Sequence, residues 1–203
     1  MFGSSHRLDL KLFCTPKTFS RDTLNVWPAL PLIVEGNMAL TSSVDNIVVA
    51  LGHSTRVCEV HLEKIDGRQL EEILAAMQAP FPQLTGLRLS SSPNETPPVI
   101  PDSFLGGSAP RLRDLRLAGI PFPGLPKLLL SVTHLVELSF WNIPHSGYIS
   151  PEAMVAVLSL LSSLERLSLQ FESPQSRPDL EGRRPPPVNL SVIPSDTFLF
   201  QRG

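Results

Sequence analysis

Leucines at 112, 115 and 117, separated by charged residues in "RLRDLRLAGI" (111–120), cannot all serve one regular element. An amphipathic helix repeats its apolar positions every three and four residues over several turns, and a half-buried strand alternates strictly. Offsets of 0, 3 and 5 instead describe a turn that delivers one apolar side chain inward. A short strand follows, whose alternate side chains point the same way. The pattern recurs as Val57, Val60, Leu62; Leu84, Leu87, Leu89; Leu135, Leu138, Phe140; and Leu164, Leu167, Leu169. The five copies start at Val57, Leu84, Leu112, Leu135 and Leu164, too regular a series to follow from leucine abundance.

Weaker copies flank them. "WPALPL" offers Trp27, Leu30 and Leu32; "SHRLDL" offers Ser5, Leu8 and Leu10; "SDTFLF" offers Ser195, Phe198 and Phe200. Up to eight irregular units result, and their spacing matches the period of leucine-rich repeats. The intervening segments suit the return half of each unit. "DGRQLEEILAAMQ" opens with Asp66 and Gln69 as a capping box, and Leu70, Ile73, Leu74 and Met77 fall on one stripe. "SPEAMVAVLSLL" has Ser150 as cap, Pro151 in the first turn, and an inward face of Met154, Val157, Leu158 and Leu161. The spacing predicts helices over 67–78 and 151–161, shorter ones over 45–51 and 126–132, and a loop with at most a 3₁₀ turn over 97–110. Each unit has a strand and a return segment with one apolar face apiece, which only the next unit can bury. The expected fold is therefore α/β: a leucine-rich-repeat solenoid over residues 1–203, with a curved parallel sheet on the concave side and irregular helices and loops on the convex side. The ninth repeat position, where a leucine-rich repeat carries Asn or Cys, holds Ile65, Ile120 and Ile143, so an irregular curvature is expected. The proline-rich stretch 173–188 is expected to interrupt the array as a mobile loop.

Composition narrows the function classes. A net charge of −2 provides no broad field to recruit nucleic acid or anionic lipid. No stretch reaches the roughly 18 apolar residues of a membrane span, and "MFGSSHRLDLKLF" lacks the apolar core of a signal peptide. The expected location is the cytoplasm, with the nucleus as alternative. Cys14 and Cys58 stand far apart and fit ordinary buried thiols in a reducing compartment. The sequons at Asn94 and Asn189 then count as chance matches.

Reaction machinery is missing from the sequence. There is no G-x-S-x-G elbow, phosphate-binding glycine loop or H-E-x-x-H, and the five histidines are scattered singly. The expectation is a non-enzymatic protein with no cofactor and no metal. What remains is a surface. Strand residues at offsets 2, 4 and 6 point away from the leucines: Glu59, His61, Glu63; Gly86, Arg88, Ser90; Asp114, Arg116, Ala118; Glu137, Ser139, Trp141; Arg166, Ser168, Gln170. Arg88, Arg116 and Arg166 are expected to form a column with Trp141 beside it, offering the residue types that dominate binding hot spots. The expected partner is a protein target of unknown identity held on this concave face, with no nucleic acid or membrane. Facing solvent, Arg116 is expected to cost at most about 0.5 kcal/mol when replaced by Ala.

"DTLNVWPALPLIVEGN", "VDNIVVALGHSTRVCEVHLEKI", "PFPQLTGLRL", "PVIPDSFLGGSAPRLRDLRLAGIPFPGLPKLLLSVTHLVEL" and "IPHSGYISPEAMVAVLSLLSSLERLSLQFESPQSRPD" resemble the repeat region of F-box proteins from mushroom-forming fungi, over roughly residues 5 to 200. The resemblance implies a substrate-recognition subunit of a cullin-type ubiquitin ligase, whose F-box docks on the ligase adaptor while the repeats hold the target. This chain shows no F-box: too few residues precede the first weak repeat, and the sequence stops within or just after a strand at "FLFQRG". Both ends read as truncated, so an adaptor is expected as partner only where an F-box exists outside this chain. The alternatives are a ligase-independent scaffold, an inhibitor-like binding protein, or a non-functional fragment of such a gene.

Overall fold

The leucine triplets become strands, and the strands pair in the order they are made. The computed structural model describes residues 9–14, 24, 26, 30–39, 43–93 and 96–172. In these stretches the chain runs β1 (Leu10–Phe13), β2 (Leu32–Asn37), α1 (Val44–Leu51), β3 (Val57–Ile65), α2 (Gly67–Ala76) and β4 (Gly86–Ser91). A 3₁₀ turn (Phe104–Gly107), β5 (Asp114–Ala118), α3 (Leu125–Leu129), β6 (Glu137–Ile143), a second 3₁₀ turn (His145–Gly147), α4 (Pro151–Leu158) and β7 (Arg166–Phe171) follow. The seven strands form one sheet in the order β1 to β7, and every pairing is parallel. The fold is α/β. Ser195, Phe198 and Phe200, the stretch 173–188, Trp27 and both sequon asparagines lie outside the described residues.

Register follows the leucines through the middle of the sheet. Val60, Leu87, Leu115, Leu138 and Leu167 stand opposite one another on successive strands, as do Leu62, Leu89, Leu117, Phe140 and Leu169. From β3 to β6 these side chains are buried, and they merge with Ile47, Leu51, Leu70, Ile73, Leu125, Leu128, Met154 and Val157 of the helices in one continuous core. The return segments thus cover one face of the sheet. Its other face carries Lys11, Glu35, His61, Arg88 and Arg116, and no element packs over it among the described residues.

The two weak N-terminal triplets are out of frame. Leu10 and Leu32 were placed at the third apolar site; instead Leu10 pairs with Leu32, and Leu32 with Val57, which is a first site. Leu12 and Val34 fill the position of Val60. Alternating apolar residues in "LKLF" and "LIVEG" satisfy a strand in either frame, and contact with β3 selects between them.

Local chemistry explains the helices. Asp66 Oδ1 accepts from the Gln69 amide at 2.8 Å, while the Asp66 amide donates to Gln69 Oε1 at 3.0 Å, which completes the capping box. Ser150 Oγ accepts from the Ala153 amide at 3.2 Å with Pro151 opening α4. α1 matches the expected 45–51, while α2, α3 and α4 are shorter than the apolar spacing predicts. α2 stops at Ala76, where Met77 O accepts from Leu105 N at 2.8 Å, and α4 stops at Leu158. The segment 97–110 contains only its 3₁₀ turn, pinned by the edge-to-face packing of Phe104 on Phe122 at 5.8 Å.

Ile65, Ile120 and Ile143 are buried, so the ninth position is an apolar anchor here. The residue before each, Lys64, Gly119 or Asn142, has a positive φ of 55°, 68° or 50°. A left-handed residue at the eighth position reverses the strand's alternation for one step, and that step returns the isoleucine to the core. Cys14 and Cys58 are buried free thiols, and Cys58 Sγ donates to the carbonyl of Leu32 at 3.2 Å.

Candidate functional site

The exposed face of the sheet is laid out by the strand register. One row across it holds Lys11, Ile33, Glu59, Gly86, Asp114, Glu137 and Arg166. The next row holds Phe13, Glu35, His61, Arg88, Arg116, Ser139 and Ser168. Arg88 and Arg116 are therefore neighbours as expected, but Arg166 is not in their row. It stands one step back, beside Glu137, because it occupies offset 2 of its unit where the other two arginines occupy offset 4.

That displacement has an electrostatic consequence. Like charges directly opposite on adjacent strands destabilise a sheet. Between Arg88 and Arg116 the repulsion is relieved by Asp114, whose Oδ2 accepts from Arg88 Nη2 at 2.8 Å and whose Oδ1 accepts from Arg116 Nε at 3.0 Å. Glu137 repeats the device: Oε1 forms an ion pair with Arg116 Nη2 at 2.8 Å, while Oε2 accepts from Arg166 Nε at 2.7 Å and lies 2.5 Å from its Nη2. The hydrogen bond to Glu137, and then that carboxylate's charge, hold the Arg166 guanidinium above its ordinary range. The result is a five-membered chain of alternating charge across β4 to β7.

A second chain crosses β1 to β3. Lys11 Nζ lies 2.8 Å from Glu35, whose carboxylate is 3.5 Å from His61 Nδ1, and His61 Nε2 is 3.3 Å from Glu59. Glu63 accepts from Asn37 Nδ2 at 3.4 Å. Gly86 occupies the place between Glu59 and Asp114 and brings no side chain, so the two ladders are separate. Their charges differ in sign. Glu35, Glu59 and Glu63 outnumber Lys11 on one side; Arg88, Arg116 and Arg166 outnumber Asp114 and Glu137 on the other.

Depth separates the signs again. The Glu137 and Asp114 side chains are 12% and 22% exposed, against 45%, 39% and 65% for Arg88, Arg116 and Arg166. Guanidiniums are therefore uppermost, with carboxylates holding their planes from beneath. Trp141 lies along its own strand, donates from Nε1 to Ser139 Oγ at 2.6 Å, and leaves 41% of its surface open. Lys11 already falls at the outward offset 6 of the "SHRLDL" copy, whereas Glu35, at offset 8 from Trp27, reaches the exposed face only once the frame is corrected. In the frame set by Leu12 and Val34, both fall on the exposed face.

Arg116 thus faces solvent as expected but is ion-paired to Asp114 and Glu137, so a larger cost is now expected of its substitution than of an unpaired surface residue. Arg116→Ala removes ion pairs to two carboxylates, one of them buried, and should cost about 1 kcal/mol in urea denaturation. The loss should shrink at about 1 M NaCl, where the screening length falls to ~3 Å. A loss indifferent to salt would mean that packing of the arginine stem, and not the ladder, is what the substitution removes.

The described residues offer little else for chemistry. No group of three or more His, Cys, Asp or Glu side chains is placed to hold a metal ion among them. The apolar cavity between Phe122, Phe140, Gly147 and Phe171 measures about 10 Å³, room for at most a single water. No helix among the described residues is long and apolar enough to cross a membrane. No family model, curated protein or solved structure matches the chain.

Proposed function

We propose that this protein is a leucine-rich-repeat module that binds a protein target on the exposed face of its sheet. The observation that carries the reading is a parallel sheet that, among the described residues, is covered on one side only. Parallel sheets are ordinarily buried on both faces. Strands added in chain order, each with a return segment on the same side, are the arrangement of a repeat solenoid, in which the bare face is the concave binding surface. Resemblance to the repeat region of fungal F-box proteins extends the proposal to target recognition for a cullin-type ubiquitin ligase, with a ligase-independent scaffold as the second reading. The polarity of the face suggests the target's chemistry: a segment with carboxylates over Arg88, Arg116 and Arg166 and basic groups toward Glu35, Glu59 and Glu63.

Trp141 and Arg88 are the anchors to test, since an open indole and a half-exposed guanidinium suit hot-spot contacts and neither is buried in the fold. Partners are first identified by proximity labelling with the full chain in cells of a mushroom-forming fungus. Trp141→Ala and Arg88→Ala should each weaken binding to a labelled partner at least about tenfold. Glu71→Ala and Glu72→Ala, on α2 at the helical side, should leave it unchanged. Loss through the glutamates with the arginine and tryptophan variants still binding would place the site on the other side of the sheet. Adaptor and cullin subunits among the labelled proteins would favour the ligase role; their absence beside a reproducible target would favour the scaffold.

A further inference from the structure

Among the described residues, two exposed aromatic side chains stand on the bare face of the sheet, Phe13 on β1 and Trp141 on β6. Each is held by the residue two places before it on its own strand. Lys11 Nζ sits 5.0 Å from the centre of the Phe13 ring. Ser139 Oγ accepts from the Trp141 indole and draws it back along β6, toward the row of Arg88 and Arg116. From β1 to β6 that row reads Phe13, Glu35, His61, Arg88, Arg116, and then the indole at Ser139. It is a line of charge closed by an aromatic ring at either end. Rings already held in place give up less side-chain freedom when something binds, which favours them as anchors.

We infer that this row seats one extended peptide segment, laid across the strands with an apolar side chain on each ring. The inference rests on the protein-binding role proposed for the face and names the segment it takes. Neighbouring strands lie ~4.8 Å apart, so the five spacings from β1 to β6 amount to about 24 Å. An extended chain advances ~3.3–3.6 Å per residue and covers that span in about seven residues. Its side chains alternate between the sheet and solvent, which sets the two apolar residues roughly six or eight positions apart. Charge fixes which end lies where. Glu35, with Glu59 and Glu63 of β3 close by, takes a basic residue just inside the Phe13 end. Arg88 and Arg116 take acidic residues inside the Trp141 end. A segment laid the other way round would set like charges against each other.

A displayed library of linear peptides long enough to cross the row, selected on the unmodified full chain, tests it. Enriched peptides should share two apolar residues roughly six or eight positions apart, with Lys or Arg inside one and Asp or Glu inside the other. Synthetic copies should bind at least about fivefold more weakly to Phe13→Ala and, separately, to Trp141→Ala, each measured on protein whose urea midpoint matches the parent's. Selection on Glu35→Gln should lose the preference for the basic residue and keep the acidic one. Peptides that depend on Trp141 but ignore Phe13 would overturn the inference while leaving the binding role of the arginine side intact. A library that yields no peptide dependent on either ring would overturn it as well. The broader role is decided separately, by the labelled partners and their response to Trp141→Ala and Arg88→Ala.

Discussion

Leu115→Ala should lower the free energy of unfolding by about 2–5 kcal/mol, the range for truncating a buried leucine that leaves a cavity. Leu115 is fully buried on the interior strand β5, between Leu87 and Leu138 in the core row. Collapse around the hole is difficult there. Sheet hydrogen bonds fix the strands on both sides, and Val136 N to Arg113 O at 2.8 Å ties the next unit to this one. In a stack whose units bury their apolar faces only against each other, the loss also weakens both neighbouring interfaces. Leu167→Ala removes the same atoms in the same row from a site 43% exposed, so it should cost less than half as much. Chemical denaturation of both variants, followed by intrinsic fluorescence, supplies the comparison. Equal losses at 115 and 167 would mean that the two positions are equally enclosed in solution.

The contrast between those leucines marks what was readable in the chain. From Val57 onward the triplets predict both the strands and their pairing register, because each apolar offset corresponds to one side of a pleat. Ahead of Val57 the same rule fails. Leu8, Leu10 and Leu12 alternate without a break, and only partner contacts decide which of them begins the row. The exposed face was legible as a set of residues but not as a pattern. Arg166 sits at offset 2 and Arg116 at offset 4, a difference printed in the sequence, yet its meaning depends on carboxylates brought across from other strands. Asp114 and Glu137 belong to different units of the chain, and together they hold all three arginines.

The turn after each strand was the least legible element. Glycine signals a left-handed residue at position 119 and Asn142 is a type that enters that region readily, but nothing in the side chain of Lys64 demands the same conformation. At Lys64 it is imposed by burial of Ile65, which gains more than the strained residue loses. Gain of burial outweighing backbone cost is the usual reason tertiary context overrides local preference.

Gly119→Ala exposes that cost directly and should destabilise the protein by about 2–3 kcal/mol. One part is conformational: at a φ of 68° a Cβ crowds the following carbonyl, worth ~1–2 kcal/mol. The other is a collision, because a Cβ built on Gly119 would meet Ser91 Oγ at 2.3 Å. Ser91 cannot yield freely, since its hydroxyl donates to the Gly119 carbonyl at 3.0 Å and lies 3.4 Å from that of Ala118. The two parts separate in a double-mutant cycle. Ser91→Ala alone should cost about 1 kcal/mol for the lost hydrogen bond. Adding Gly119→Ala to it should cost only the conformational part, so the pair is less destabilising than the sum of the single changes. The converse holds at Lys64, where Lys64→Gly should gain about 0.5–1 kcal/mol by relieving the same backbone crowding. Additive losses at 91 and 119 would show that the hydroxyl moves aside without resistance. A Lys64→Gly variant less stable than the parent would show that the left-handed turn is not what returns the isoleucine to the core.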